Sequence, residues 1–333
     1  RAKAGIVANS MLAPEGGPAT GDDEESPNLT MTDSLVILDG GTGRELARRG
    51  APFRQPEWSA LALMQAPQFV RQAHDAFAQS GAQVLTTNSY AVVPFHIGQE
   101  RFEAQGLALA RLSAELARAS ADATGHKVLV AGSLPPALGS YRPDLFVHAQ
   151  SVAIHRTLIE GMDALVDVWL AETQSSIAEI RAAHEALGAN TKPLWISFTL
   201  DDEPEGDVVT LRSGEAVDVA VREALALGAK AVLFNCSQPE VMEAAVIAAR
   251  QVVGDSGIDI GVYANAFPPM AADAEANSGL SPIREDLTPE GYGRFAAAWH
   301  AAGASILGGC CGIGPEHIAN LRESARNGSA IQS

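Results

Sequence analysis

The chain has 333 residues, 47% of them hydrophobic, enough to bury a large core as one domain or two. Against 23 basic side chains stand 40 acidic ones, a net charge of -17, which argues against nucleic acid and anionic membranes as partners. No apolar stretch approaches the roughly 20 residues that a membrane-spanning helix needs, and three cysteines cannot build a disulfide framework.

Residues 1–33 are rich in Ala, Gly, Pro, Asp and Glu and lack the apolar region of a secretory signal. They are expected to be a disordered tail, followed by one folded domain over 34–327 and a short C-terminal tail over 328–333. From Ser34 onward, apolar β-rich runs alternate with Ala-rich helical patterns. The first four strands are expected at Leu35–Gly40, Gln83–Asn88, Val128–Ser133 and Ala164–Glu172. The next four are expected at Leu194–Leu200, Ala231–Cys236, Ile260–Asn265 and Ser305–Gly309. Helix signals lie between them. Pro67 opens one helix and Gly81 closes it, Ser213 caps another that stops at Gly228, and Thr288-Pro289-Glu290 starts a third that ends at Gly303.

Eight strand–helix units predict an α/β fold of the (β/α)8 TIM-barrel type, ahead of an open doubly wound sheet. The polar and reactive residues fall at strand C-termini, where barrel active sites lie: Asp39, Asn88, Glu172, Asn235-Cys236, Asn265 and Cys310-Cys311. Two long connections, Pro135 to Pro143 and Pro268 to Leu287, follow strand ends and are candidate lids.

The cysteines carry the chemistry. Cys310 and Cys311 are adjacent within Gly308-Gly309-Cys310-Cys311-Gly312, and Cys236 ends the sixth strand. Flanking glycines free the backbone to turn two neighbouring side chains toward one ion. Three thiolates with a vacant fourth place suit zinc, and a barrel would bring Cys236 to the other two. Such a centre is a weak Lewis acid but a good site for ionising an incoming thiol. Free thiolates imply a reducing, cytoplasmic setting. Of the eight histidines, none forms a His-x-His pair, and only His96, in the loop after the second strand, is a candidate for the site.

Five motifs, Asp39-Gly40-Gly41-Thr42-Gly43, Thr86-Thr87-Asn88-Ser89-Tyr90, Ala171-Glu172-Thr173, Asn235-Cys236 and Gly309-Cys310-Cys311-Gly312, mark strand ends over about residues 35 to 325. In these motifs the chain resembles the zinc-dependent homocysteine S-methyltransferases. The resemblance implies a (β/α)8 barrel and zinc held by Cys236, Cys310 and Cys311. It implies that Asp39 and Glu172 hold the ammonium of L-homocysteine. Asn235 would orient the site or meet substrate, Tyr90 would lie near the methyl-transfer locus, and Asn265 would face donor or substrate backbone. Ser133-Leu134-Pro135-Pro136 and Tyr263-Ala264-Asn265 depart from the family's patterns after the third and seventh strands.

The expected reaction is methyl transfer from a sulfonium, S-methylmethionine before S-adenosylmethionine, to the homocysteine thiol, giving methionine. A betaine-type donor, a zinc hydrolase on the same barrel and a non-catalytic zinc or thiol redox sensor are the alternatives. Ending soon after the eighth helix, the chain is expected to lack the C-terminal extension of betaine-using relatives.

Overall fold

A computed structural model describes residues 35–203, 208–269 and 282–326. The tails expected over 1–33 and 328–333 lie outside the described residues, and the last helix ends at Arg326. The strands are β1 (Val36–Ile37), β2 (Val84–Thr86), β3 (Leu129–Leu134), β4 (Val168–Gln174), β5 (Leu194–Phe198), β6 (Ala231–Asn235), β7 (Asp259–Tyr263) and β8 (Ile306–Leu307). All neighbours pair in parallel, in the order β1-β8-β7-β6-β5-β4-β3-β2. A bridge from Leu38 to Val84 joins β1 to β2. Gln83 N–H donates to Ile37 C=O at 2.7 Å and Asp39 N–H to Val84 C=O at 3.1 Å, so the sheet closes on itself. This is the (β/α)8 barrel that the strand count predicts.

The strands are short, apolar and buried on both faces, as parallel barrel strands must be. Their outer faces pack against helices through Phe77, Trp169 and Trp299, each 0% exposed. Helix Pro67–Gln79 has Pro at its first position and is followed by Gly81 at φ 96°. Helix Pro289–Ala302 has the expected cap, Thr288 Oγ1 accepting the Gly291 N–H at 3.1 Å, and Gly303 ends it in the left-handed conformation.

Two local expectations need correction. Ser213 does not cap a helix; its hydroxyl donates to Glu215 Oε2 at 2.7 Å in a turn, and the helix starts later, at Val217–Ala226. The fourth strand starts at Val168, because Asp163–Leu165 forms a 3-10 turn. There Asp163 ties down Lys192 and Asn190 instead of joining the ladder.

The C-terminal strand ends are built to hold loops rigidly. Tyr292, fully buried on helix Pro289–Ala302, donates to Gly308 C=O at 2.7 Å and to Ala264 C=O at 3.3 Å. It thereby clamps the ends of β7 and β8 just before the paired cysteines. The connection after β3 folds over the barrel mouth, with Ser140 and Tyr141 buried. Most of the second candidate lid, residues 270–281, lies outside the described residues.

Candidate active site

At the barrel mouth lies a cavity of about 180 Å³. Cys236 reaches it from the end of β6, and Cys310 and Cys311 from the loop after β8; the three Sγ atoms lie within 4.8 Å of one another. The loop after β1 closes against this cluster. A Cβ on Gly41 would sit 2.4 Å from the Cys310 carbonyl oxygen, and one on Gly309 would sit 2.1 Å from Ile313 Cγ2. Only glycine permits these approaches.

Hydrogen bonds among the sulfurs from Cys236 and Cys310 pull the Cys311 thiol well below its ordinary range, with Arg44 helping, while the same sharing pushes Cys310 up. Tyr141 Oη donates to Cys236 Sγ at 2.9 Å. Burial, followed by the field of Cys236, pushes that phenol well above 10, so it stays protonated and can donate.

Two carboxylates share the cavity. Asp39 accepts the Thr86 N–H at 2.7 Å and the Thr86 hydroxyl at 3.0 Å. Glu172 accepts the Ser133 hydroxyl at one oxygen and Tyr263 Oη, 3.4 Å away, at the other. Burial raises Asp39 from 3.8 to about 7 against the Thr86 bonds, and the Glu172 charge adds to the rise. Burial likewise raises Glu172 from 4.5 to about 7, against the Ser133 bond and with help from Cys236. Neither carboxylate forms an ion pair among the described residues, so a cation entering here finds two unneutralised acids.

Aromatic rings complete the lining: Phe53, Trp58, Tyr90 and Phe267. Tyr90 Oη shares a 2.6 Å hydrogen bond with Ser140 Oγ. His96 also lines the cavity, with Nδ1 3.0 Å from Pro56 C=O. The structure thus gathers Asp39, Tyr90, Glu172, Cys236, Cys310, Cys311 and His96 into one chamber.

Asn235 and Asn265 do not line it. Asn235 is fully buried and turned toward Thr173: its Oδ1 accepts the Thr173 N–H at 2.9 Å and its Nδ2 donates to Thr173 Oγ1 at 2.8 Å. Thr173 sits at a register shift in β4 with φ 58°. Asn235 therefore steadies the backbone bulge directly after Glu172. Asn265 Oδ1 accepts the Phe267 N–H at 3.0 Å and holds the following loop.

Sequence reasoning does not single out Trp58, Tyr141, Thr173 or Phe267 as site residues. Backbone strain marks three of them. Among the described residues, the non-glycine positions with left-handed φ are Trp58, Tyr141, Thr173 and Cys236, and all four line the cavity. Such conformations cost roughly 1–3 kcal/mol each and persist where surrounding structure enforces them.

Comparison with known proteins identifies the family. The family model described as homocysteine S-methyltransferase matches residues 36–325. The homocysteine S-methyltransferase of Escherichia coli (strain K12) is 32% identical, the match covering 86% of this chain and 94% of that protein. A selenocysteine methyltransferase of Astragalus bisulcatus is 26% identical over 91% of this chain and 96% of its own. The solved structure of the homocysteine methyltransferase MmuM from Escherichia coli, in its metallated form, superposes with a TM-score of 0.71 at 30% identity, covering 89% of this chain and 97% of that one. With nearly the whole barrel matched by one family, and thiols, acids and aromatic rings converging at its mouth, the chain belongs to the homocysteine S-methyltransferase family.

Proposed function

We propose that this enzyme moves a methyl group from a sulfonium donor, S-methylmethionine before S-adenosylmethionine, to the thiol of L-homocysteine, with zinc held by Cys236, Cys310 and Cys311. The observation that carries the reading is the convergence of three sulfurs within 4.8 Å of one another beside two buried carboxylates. Tetrahedral zinc with Zn–S bonds of about 2.3 Å separates its sulfur ligands by roughly 3.8 Å. The cluster accommodates that with small side-chain adjustments, and three soft donors from two strand ends leave one face toward the cavity. Zinc bound there supplies a position at which a substrate thiol loses its proton at neutral pH.

The chain's own residues do the rest. Asp39 and Glu172 receive the homocysteine ammonium; near that positive charge both return to the ionised state. Ser133, Thr86 and Tyr263 keep their oxygens aimed inward. The aromatic rings of Trp58 and Tyr90 in the lining attract a sulfonium and keep water from it, while Phe267 has the Arg44 guanidinium 5.4 Å over its ring. A sulfonium leaves as a neutral thioether, so no general acid is required, and catalysis is positioning plus activation of the thiol.

The test is methyl transfer by reduced, zinc-loaded protein with homocysteine and a donor panel: S-methylmethionine, S-adenosylmethionine and betaine. Turnover with a sulfonium supports the reading. Turnover with betaine alone reassigns the donor, and one equivalent of bound zinc without any methyl transfer supports a metal or thiol sensor.

A further inference from the structure

The loop after β5 carries a buried ion pair that the chemistry above does not use. Arg212 Nη2 meets Asp202 Oδ2 at 2.8 Å, with the two side chains 4% and 0% exposed. Burying two charges costs desolvation that their attraction only partly returns, so such a pair is a poor device for stability alone. Its surroundings show what it holds, because both ends run to Cys236.

At one end, Asp202 Oδ1 accepts the Gln238 N–H at 2.8 Å and fixes the turn just beyond the cysteine. At the other, the Arg212 guanidinium carbon stands 4.6 Å over the ring of Tyr141, whose hydroxyl donates to Cys236 Sγ at 2.9 Å. Arg212 Nε also reaches Thr199 Oγ1 at 3.4 Å, and Thr199 meets Ser237 Oγ at 3.0 Å. Tyr141 has a left-handed φ of 65°, a conformation that needs enforcing from outside.

We propose that Arg212, anchored by Asp202, is a positioning residue that keeps the Tyr141 hydroxyl aimed at the Cys236 sulfur and thereby sets how firmly the three-thiol centre retains its metal. The inference rests on the metal-centre reading given under the proposed function. Cys236 is only 4% exposed, so water does little to compensate a thiolate there. A phenol donating to that sulfur spreads its charge and fixes its direction, as partners of metal ligands do. The planar guanidinium can lie on the ring while it pairs with Asp202; an ammonium can keep the charge but not that stacked geometry.

The experiment uses the full chain loaded with zinc, or with cobalt(II) as a spectroscopic probe, in wild type, Tyr141→Phe, Arg212→Lys and the double variant. Phenylalanine keeps the ring under Arg212 and lysine keeps a cation beside Asp202, so both are expected to fold, which thermal unfolding checks. Each single variant should release zinc to excess chelator about 10- to 100-fold faster than wild type. The double variant should release it no faster than Tyr141→Phe alone, because Arg212 acts through the hydroxyl. The sulfur-to-cobalt charge-transfer band should move to lower energy in both single variants. Release from both singles at the wild-type rate, or an Arg212→Lys effect that persists in full on the Tyr141→Phe background, overturns the proposal while leaving the metal centre intact. A wild-type protein that takes up no metal overturns both readings.

Discussion

Glu172→Gln should strengthen the fold while weakening the enzyme. Glu172 is buried in the cavity wall and raised from 4.5 to about 7. A carboxyl that is raised on folding favours the native state while protonated, and that contribution is lost as pH rises from about 4.5 through about 7. At about 1.4 kcal/mol per pH unit, the ligand-free wild type forfeits about 3 kcal/mol by pH 8. Glutamine is isosteric and neutral. Its carbonyl can still accept from Ser133, and its amide can donate to Tyr263 Oη, which now sits 3.4 Å from the carboxylate. Urea unfolding of the substrate-free proteins should therefore show the variant more stable by about 3 kcal/mol at pH 8, and matched with wild type near pH 4. Homocysteine affinity should move the other way, falling about 10- to 100-fold at pH 8 with the loss of a charge-assisted contact to the ammonium. Zinc stoichiometry should not change. A stability gain that is the same at pH 4 and pH 8, or unchanged homocysteine affinity, would refute the account of Glu172 as a buried acid kept for a cationic substrate group.

The other predictions concern the cysteine loop and its frame. Cys310→Ala should abolish zinc binding and methyl transfer while circular dichroism shows the fold intact, since the barrel core lies elsewhere; full metal content in that variant would count against a three-thiol centre. Gly41→Ala places a methyl 2.4 Å from the Cys310 carbonyl oxygen, so it should cost about 1–3 kcal/mol in unfolding measurements and speed metal loss. An alanine variant as stable as wild type would show that the two loops are not in contact. Thr288→Ala removes the hydroxyl that accepts the Gly291 N–H and should lower stability by about 1 kcal/mol with no change in activity.

Much of this molecule is legible along the chain. Parallel strands buried on both faces read as unbroken apolar runs, and Pro67, Thr288 and Gly303 mark helix ends by rules that involve only their neighbours. The thiols are legible for a similar reason. A Gly-Gly-Cys-Cys-Gly run at a strand end can be seen without knowing what lies opposite, and a closed barrel then has to bring Cys236 to it. Ser213 shows where local rules fail: a favourable cap residue three positions early is taken by a turn with Glu215.

What surrounds the three thiols was decided only in three dimensions. A register shift between Ala171 and Gln174 bends the strand at Thr173, and Asn235, 62 residues away along the chain, steadies that bend and so faces Thr173, not the cavity. Tyr141 meets Cys236 across 95 residues, and Arg212 reaches Tyr141 from yet another loop. Periodicity and capping report a residue's neighbours within a few positions. Side-chain direction at a strand end depends instead on register, left-handed backbone turns and loops that approach only once the barrel has closed. The sequence therefore determines the barrel and its three converging thiols, and the closed fold alone decides which groups support those sulfurs.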